Sequence, residues 1–259
     1  MENLTEIKKC CTFEFGIEDD AIMILGAANA GLVGTISASH IIEELDLKEV
    51  AHLHSSKFPP ISVFIDGVLQ NPFRIYADGA EGKNAKVFLA TTELPLNKDT
   101  FHDVAHILLD YVAELGIQTV ITLVGFPVQV LDKYDVFFAA EPEIFNKLKE
   151  IEGLKPLPKG MIYGLEALVL NETLERELDG YSLIVPVKEY MPATRSAAAL
   201  IDILNKIYDF LDIDTEELIK RDDFLQNKLK ELAEQIRRSQ EPDQYMAPPP
   251  SKNMDSLFT

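Results

Sequence analysis

The segment GAANAGLVG, at residues 26–34, is the first stretch whose composition could support chemistry. It follows an apolar run and opens a helical pattern, which is where phosphate-binding loops lie. However, it does not have the GxGxxG spacing, and a Walker A loop would need lysine where Leu32 stands. No lysine or arginine follows before Lys48 to neutralise a phosphate. We therefore interpret the segment as a tight strand-to-helix turn and predict no cofactor.

The histidines offer a second kind of chemistry, metal binding. His102 and His106 are four residues apart in a helical pattern, so both rings would lie on one face of the helix. Two histidines form an incomplete site, and the HDVAH sequence lacks the glutamate of an HExxH motif. His52 and His54 alternate on a predicted strand. These patterns favour surface or core histidines, and we predict no metal site.

Nucleophilic catalysis has no clear candidate in this chain. Cys10 and Cys11 are adjacent and are the only cysteines, so they form neither a disulfide framework nor a zinc knuckle. We interpret them as ordinary residues near the first strand, in a reducing compartment. No GxSxG sequence is present, and the many acidic residues single out no carboxylate pair. We predict no catalytic residue and no enzymatic activity.

The charge balance narrows the choice of partners. The chain has 24 lysines and arginines against 43 aspartates and glutamates, for a formal net charge of −19. Such a surface repels phosphate backbones and anionic lipid, so we expect neither a nucleic-acid nor a membrane partner. The N-terminal sequence MENLTEIKK is polar, and no apolar run reaches the roughly 20 residues of a membrane span. We expect a cytoplasmic protein.

The elements that must position these residues alternate between short apolar runs and longer helical patterns. Strands are predicted at 21–25, 50–55, 61–66, 73–79, 86–93, 118–124, 136–140 and 181–187, and helices at 31–45, 99–115, 142–150, 164–178 and 193–211. Gly116 is expected to end the second helix as a left-handed cap. This alternation predicts an α/β fold with three layers, a mainly parallel or mixed central sheet flanked by helices.

The chain divides into four zones. We predict a polar lead-in at 1–9, an α/β core domain at 10–213, a C-terminal helix at 214–238 and a flexible proline-rich tail at 239–259. The C-terminal helix carries an apolar stripe at Leu218, Leu225, Leu229, Leu232 and Ile236. This stripe could pack on its own domain, or it could form a contact between subunits.

Three segments carry a resemblance to a known family. They are GAANAGLVGTISASHIIEELDLKEVAHL, LGIQTVITLVGFP, and a long third segment that runs from Gly160 to Leu218. The third is the most diagnostic, because it contains in order Gly160, Gly164, Leu168, Pro186, Tyr190, Pro192 and the alanine run 197–199. Together the segments resemble the proteasome assembly chaperone family in its archaeal branch, over about residues 10–225.

The resemblance implies a fold similar to purine nucleoside phosphorylase without demonstrated catalysis. It also implies a homo-oligomer that serves the 20S proteasome as an assembly chaperone or an ATP-independent activator. Members of such families insert a C-terminal hydrophobic-Tyr-any motif into pockets of the α-ring. Here the last residues are Leu257, Phe258 and Thr259, so phenylalanine replaces the tyrosine. Tyr245 could contact the ring surface.

Two other functions stay open on the sequence. One is an enzyme or binding protein for a nucleoside or phosphate-type ligand, with a pocket formed by 26–34, Gly125–Pro127 and Tyr190–Arg195 and with Arg195 as the anion anchor. The other is an adaptor whose acidic body binds a basic protein. Loss of binding to 20S particles after deletion of the tail would favour the chaperone interpretation over both.

Overall fold

A computed structural model describes residues 5–10, 16–79, 84–188 and 191–220. The strands are β1 (Thr5–Lys9), β2 (Ile17–Ala27), β3 (Lys48–Ser55), β4 (Val63–Ile65), β5 (Val68–Gln70), β6 (Phe73–Ala77), β7 (Ala85–Thr92), β8 (Thr119–Val128), β9 (Val136–Ala140), β10 (Leu154–Pro156) and β11 (Asp179–Lys188). The helices are α1 (Val33–Glu44), α2 (Lys98–Glu114), α3 (Pro142–Lys149), α4 (Leu165–Glu175) and α5 (Thr194–Ile207).

A nine-stranded mixed sheet forms the centre of the fold, in the order β1-β3-β6-β7-β2-β8-β11-β9-β10. Its four middle strands β7, β2, β8 and β11 are parallel to one another, with β2 between β7 and β8. The strands β1, β3 and β6 extend one side in antiparallel order, and β9 is antiparallel to β11 on the other side. The predicted α/β class with a mixed sheet is confirmed.

Helices cover both faces of the sheet, which gives the three predicted layers. On β2, Ile22 and Ile24 belong to a core that includes α1, α3 and α5. Their neighbours Met23 and Leu25 point to the opposite core, which includes α2 and α4. From Ala21 to Ala27 β2 is buried on both faces, so this part of its sequence reads as a continuous apolar run rather than an alternating one.

Two features at the edge of the fold differ from the sequence prediction. Thr5–Lys9, within the predicted polar lead-in, forms the edge strand β1 and pairs with β3. The predicted strand 61–66 does not enter the central sheet, because β4 pairs with β5 in a separate two-stranded hairpin. Asp66 and Gly67 at its turn have φ of +50° and +79°, as a two-residue Asp-Gly hairpin turn requires.

The end of the core domain shows where the first residue of the apolar stripe packs. Residues 216–220 are helical, and the Asp214 carboxylate accepts a hydrogen bond from the Glu216 amide at 2.8 Å. Leu218 is only 3% exposed and packs in the core of its own subunit. The remaining stripe residues and the tail lie outside the described residues, so an intersubunit contact there stays a prediction. Among the described helices, none is long and apolar enough to cross a membrane.

Candidate functional site

A cavity of about 830 Å³ opens at the carboxyl edge of the parallel strands. It is bounded by the residues that end or follow β2, β7 and β8, and by the segment 157–165 that leads into α4. The helix α1 leaves β2 toward one face of the sheet and α2 leaves β7 toward the other. A crevice forms where successive helices leave on opposite faces, and ligands of open α/β sheets bind in such crevices.

Close backbone packing shapes the wall of the cavity. Gly125 on β8 lies against the turn that precedes α1, and a methyl group on it would fall 2.3 Å from the carbonyl oxygen of Ala30. Glycine is therefore needed there for strand and turn to approach. Gly164, with φ of +94°, turns the chain into α4 and sets the direction of the first helical residues.

Glu166 is a buried acid in the wall of the cavity. It lies in the first turn of α4 and is 4% exposed. Its Oε1 atom accepts a hydrogen bond from Nδ2 of Asn29 at 3.0 Å. Burial raises the pKa of Glu166, and the hydrogen bond from Asn29 offsets part of that rise. Its carboxyl group is thus a hydrogen-bond acceptor that is largely shielded from water.

Asn29 connects three parts of the fold. Besides the bond to Glu166, its Nδ2 atom donates to the carbonyl oxygen of Leu123 on β8 at 2.7 Å. Its Oδ1 atom accepts from the Gly34 amide at 3.4 Å. Both amide hydrogens are therefore used within the protein. Asn29 orients Glu166, which lines the cavity and keeps further acceptor capacity.

The rest of the lining is mainly apolar, with two cations at its rim. Phe101, Phe126 and Tyr163 contribute aromatic rings. Lys98 and Lys159 also line the cavity and are exposed. Within the described ranges neither lysine has an ion-pair partner, although the chain carries a large excess of acidic residues. The cavity thus combines an apolar body, one buried acceptor and two available positive charges.

The open ligand hypothesis anticipated part of this cavity. Residues 27–30 and Gly125–Pro127 line it together, as the strand-end argument predicted. Arg195 on α5 is not a lining residue, so the predicted anion anchor is wrong for this cavity. Tyr190 lies outside the described residues. Ala193, in the same predicted segment, is buried and contacts the turn before α1, because its amide donates to the carbonyl oxygen of Gly31 at 2.9 Å.

Sequence reasoning missed Glu166, Asn29 and both rim lysines. Glu166 is one of 43 acidic residues, and its burial follows only from the turn at Gly164. Asn29 did lie in the strand-to-helix segment that sequence reasoning singled out, but its polar role was not recognised. Segment 157–165 has no apolar period that would mark it as part of a site.

The predicted histidine features fall elsewhere. His106 on the surface of α2 contacts Glu172 and Arg176 of α4 within an exposed ionic cluster, and His102 is exposed. His40 is buried, and its Nε2 atom lies 2.6 Å from the Asp214 carbonyl oxygen. A tail contact through Leu257, Phe258, Thr259 or Tyr245 lies outside the described residues, so those sites stay predictions.

The region around Cys10 brings a thiol, a carboxylate and an imidazole together. Ligand atoms of Cys10, Glu49 and His52 all lie within 4.8 Å of one another. Glu49 also accepts a hydrogen bond from Asn71 at 3.2 Å. A structural zinc site takes four ligands, so this three-residue group is an incomplete set.

The comparison with protein families decides the family of the chain. The PAC2 family model matches residues 23–233, which is most of the chain and includes every residue that lines the cavity. The chain belongs to the PAC2 family. The resemblance predicted from the sequence is thereby confirmed.

Several solved structures show the same fold. A protein of unknown function from Thermoplasma acidophilum is 30% identical, with a TM-score of 0.71 over 86% of this chain and 89% of that one. Pyrococcus furiosus PbaA, an archaeal homolog of proteasome-assembly chaperone, is 26% identical, with a TM-score of 0.79 over 90% of this chain and 94% of that one. Pyrococcus furiosus PbaB, an archaeal proteasome activator, is 24% identical, with a TM-score of 0.77 over 90% and 100%.

Proposed function

We propose that this PAC2 protein is a non-enzymatic partner of the 20S proteasome, acting in the cytoplasm as an assembly chaperone or an ATP-independent activator. The observation that carries the proposal is the likeness to PbaA, which extends over nearly the whole of both chains. In the proposed mechanism the chain forms a homo-oligomer. Each subunit presents Leu257-Phe258-Thr259 to a pocket of the α-ring, and Tyr245 contacts the ring surface.

The energetics of one tail favour a multivalent mechanism. Ordering three residues costs roughly 3–6 kcal/mol of backbone entropy. Burial of Leu257 and Phe258 returns about 1.5–3 kcal/mol each, and a contact between the Thr259 carboxylate and a pocket lysine adds about 1.5–3 kcal/mol. A single tail is therefore a weak ligand. Several tails on one oligomer gain about 10²–10⁴ in avidity, so self-association is part of the proposal.

The hairpin β4–β5 supplies a described surface for self-association. Phe64 pairs with Leu69 and Ile65 with Val68 across the hairpin, and these side chains are 45–64% exposed. Ile61, which precedes β4, is 48% exposed. Exposed apolar side chains grouped on one hairpin of a charged protein are typical of a protein contact. A second copy of the chain would bury these side chains, and the contact would bring two tails onto one particle.

Removal of the last three residues tests tail docking directly. The full chain and a chain lacking 257–259 are sedimented with purified 20S particles, and peptide hydrolysis by the particles is measured alongside. We expect binding to fall at least about tenfold, because the two apolar anchors and the terminal charge are lost together. Hydrolysis that rises with the full chain indicates an activator, and unchanged hydrolysis with retained binding indicates an assembly factor. Undiminished sedimentation of the shortened chain would contradict tail docking.

Substitution on the hairpin tests the oligomer separately. Phe64→Ser with Leu69→Ser should lower the mass in solution. Leu174→Ser is the control, since Leu174 is 59% exposed and belongs to α4 rather than to the hairpin. The hairpin variant should also lose avidity for 20S particles while keeping its fold by circular dichroism. A mass unaffected by the double substitution would rule out the hairpin as the contact.

A further inference from the structure

The cavity has no part in a mechanism that works through a C-terminal tail. It lies at the carboxyl edge of the sheet, where open α/β folds bind small molecules, and its volume of about 830 Å³ is in the range of ligand sites. A scaffold that only presents tails needs neither an open cavity there nor a buried acid in its wall.

Glu166 defines the polar chemistry of a ligand. It is the acidic residue among the described residues that line the cavity, and it is only 4% exposed. Nδ2 of Asn29 donates a hydrogen bond to its Oε1 atom. Since both Asn29 hydrogens are used within the protein, Asn29 has no donor left for a ligand. A carboxyl group accepts up to about four hydrogen bonds, so Glu166 retains capacity for an N–H or O–H donor.

The apolar lining defines the body of the ligand. Phe101 and Phe126 lie in the wall, and Tyr163 and Met161 lie in the segment 157–165, where they are 75% and 77% exposed. Large exposed apolar side chains at the mouth of a cavity are available to cover a ligand. Aromatic rings stack on a flat ring system in offset or edge-to-face geometry. A planar, partly apolar ligand fits this lining.

The rim defines the charge of the ligand. Lys98 and Lys159 both line the cavity, and neither has an ion-pair partner within the described part of the chain. On a chain of net charge −19, two available ammonium groups beside one cavity create a local preference for an anion. Lysine binds phosphate as a point charge.

We infer that this cavity binds a mononucleotide-class ligand, a heterocyclic base with an N–H donor joined to an anionic phosphate. The base lies among the aromatic side chains and donates to Glu166, and the phosphate reaches Lys98 and Lys159. A fatty acid would satisfy the lysines but would offer no donor to the acceptor sites of Glu166 that Asn29 leaves free. A free nucleoside would satisfy Glu166 but not the lysines.

A tryptophan reporter tests the inference on the full chain. The protein contains no tryptophan, so Met161→Trp places a single indole at the cavity mouth on an exposed position. The Leu174→Trp protein is the matched control, because Leu174 is also exposed and lies at the far end of α4. Both proteins are titrated with the four ribonucleoside 5′-monophosphates, the corresponding nucleosides, inorganic phosphate and palmitate. We expect saturable quenching of the Met161→Trp protein by at least one monophosphate, and no saturable change in the control.

Two sets of variants then assign the contacts. In the Met161→Trp background, Glu166→Gln should weaken the monophosphate about 10- to 100-fold, because it places an amide donor against the donor of the base. Lys98→Met with Lys159→Met should weaken the monophosphate about tenfold or more and leave the nucleoside nearly unchanged. These lysines are exposed, so that variant keeps its fold even if Glu166→Gln does not. Lys155→Met is the control, because Lys155 pairs with Asp135 and does not line the cavity.

Three outcomes would overturn the inference. One is no saturable quenching by any monophosphate up to about 10 mM, which corresponds to negligible binding. Another is quenching by palmitate but by no nucleotide. The third is nucleotide binding that none of the cavity variants changes. The 20S sedimentation assay with the chain lacking 257–259 is independent of all three, so failure of the tail proposal and failure of this inference are distinguishable.

Discussion

Replacement of Asn29 by alanine should destabilise the protein by an amount that grows with pH. The change removes both side-chain donors, one to the Leu123 carbonyl oxygen at 2.7 Å and one to Glu166 at 3.0 Å. A net hydrogen bond contributes about 0.5–1.5 kcal/mol, and a bond to a charged group about 1.5–3 kcal/mol. The expected loss is therefore about 1–3 kcal/mol when Glu166 is protonated and about 2–4.5 kcal/mol when it is ionised.

The sign of the pH dependence follows from the Glu166 pKa. Burial raises that pKa in the folded protein above its ordinary value of 4.5, so the folded state binds the proton more tightly than the unfolded state. Stability attributable to this group is full below the unfolded pKa and falls as pH rises toward the folded pKa. Since the Asn29 hydrogen bond lowers the folded pKa, its removal raises that pKa further and deepens the fall.

Chemical denaturation of the Asn29→Ala protein and of the unsubstituted protein at pH 5 and pH 8 measures the loss of stability and its change with pH. Asn205→Ala is the matched control, because the Asn205 side chain bonds the Ile213 backbone at 2.9 and 3.3 Å and, among the described residues, bonds no carboxylate. Its cost should not change between the two pH values. The difference for Asn29→Ala should be about 1–2 kcal/mol, close to one pKa unit, and should vanish in a Glu166→Gln background. An equal cost at both pH values would refute the linkage.

Three further changes have expected results that the same denaturation or sedimentation assays measure. Gly125→Ala should lower the free energy of unfolding by about 2–4 kcal/mol, because the added methyl group would lie 2.3 Å from the Ala30 carbonyl oxygen. Gly116→Ala should lower it by about 1–2 kcal/mol, because Gly116 has a φ of +73° although the space around it is open. Arg74→Met should cost about 2–4 kcal/mol, since it leaves the Glu93 carboxylate without its buried partner, and Glu93→Gln should recover part of that loss. Phe258→Tyr should tighten 20S binding by about 0.5–1.5 kcal/mol per tail if the pocket offers a hydroxyl partner, and unchanged affinity would indicate that it does not.

The sequence predicted the centre of the fold because the physical signal there is strong. Buried parallel strands such as β8 and β11 read as near-continuous apolar runs, interrupted by Thr122 and Ser182, and the predicted strand 136–140 coincides with β9. Gly116 ends α2 with a φ of +73°, as its position after an apolar helical pattern predicted. Each of these depends on local pattern and burial alone.

The elements that the sequence did not predict lack such a signal. The edge strand β1 presents Lys8 and Lys9 to solvent, so its sequence TEIKK resembles a polar terminus. The cavity depends on how Asn29 and Glu166 meet, although 137 positions separate them in the chain. No local pattern encodes that meeting, which results from the packing of α4 against the strand-to-helix turn.

The carboxylate of Glu166 can be tested as a functional feature apart from stability. Asn29 needs only Leu123 and Gly34 to hold the strand-to-helix turn, so the turn does not require an acid at position 166. Burial of a carboxyl group costs free energy, and well-packed apolar substitutes for buried polar groups are often neutral or stabilising.

Glu166→Met keeps the side-chain length, removes the desolvation penalty and loses the hydrogen bonds that the carboxylate accepts from Asn29 and from its own backbone amide. We therefore expect its free energy of unfolding at pH 8 to stay within about 1 kcal/mol of the unsubstituted protein, while nucleotide quenching of the Met161→Trp reporter is abolished. A loss of more than about 2 kcal/mol in the free energy of unfolding would instead show that Glu166 stabilises the turn. The burial of Glu166 would then no longer support a ligand in the cavity.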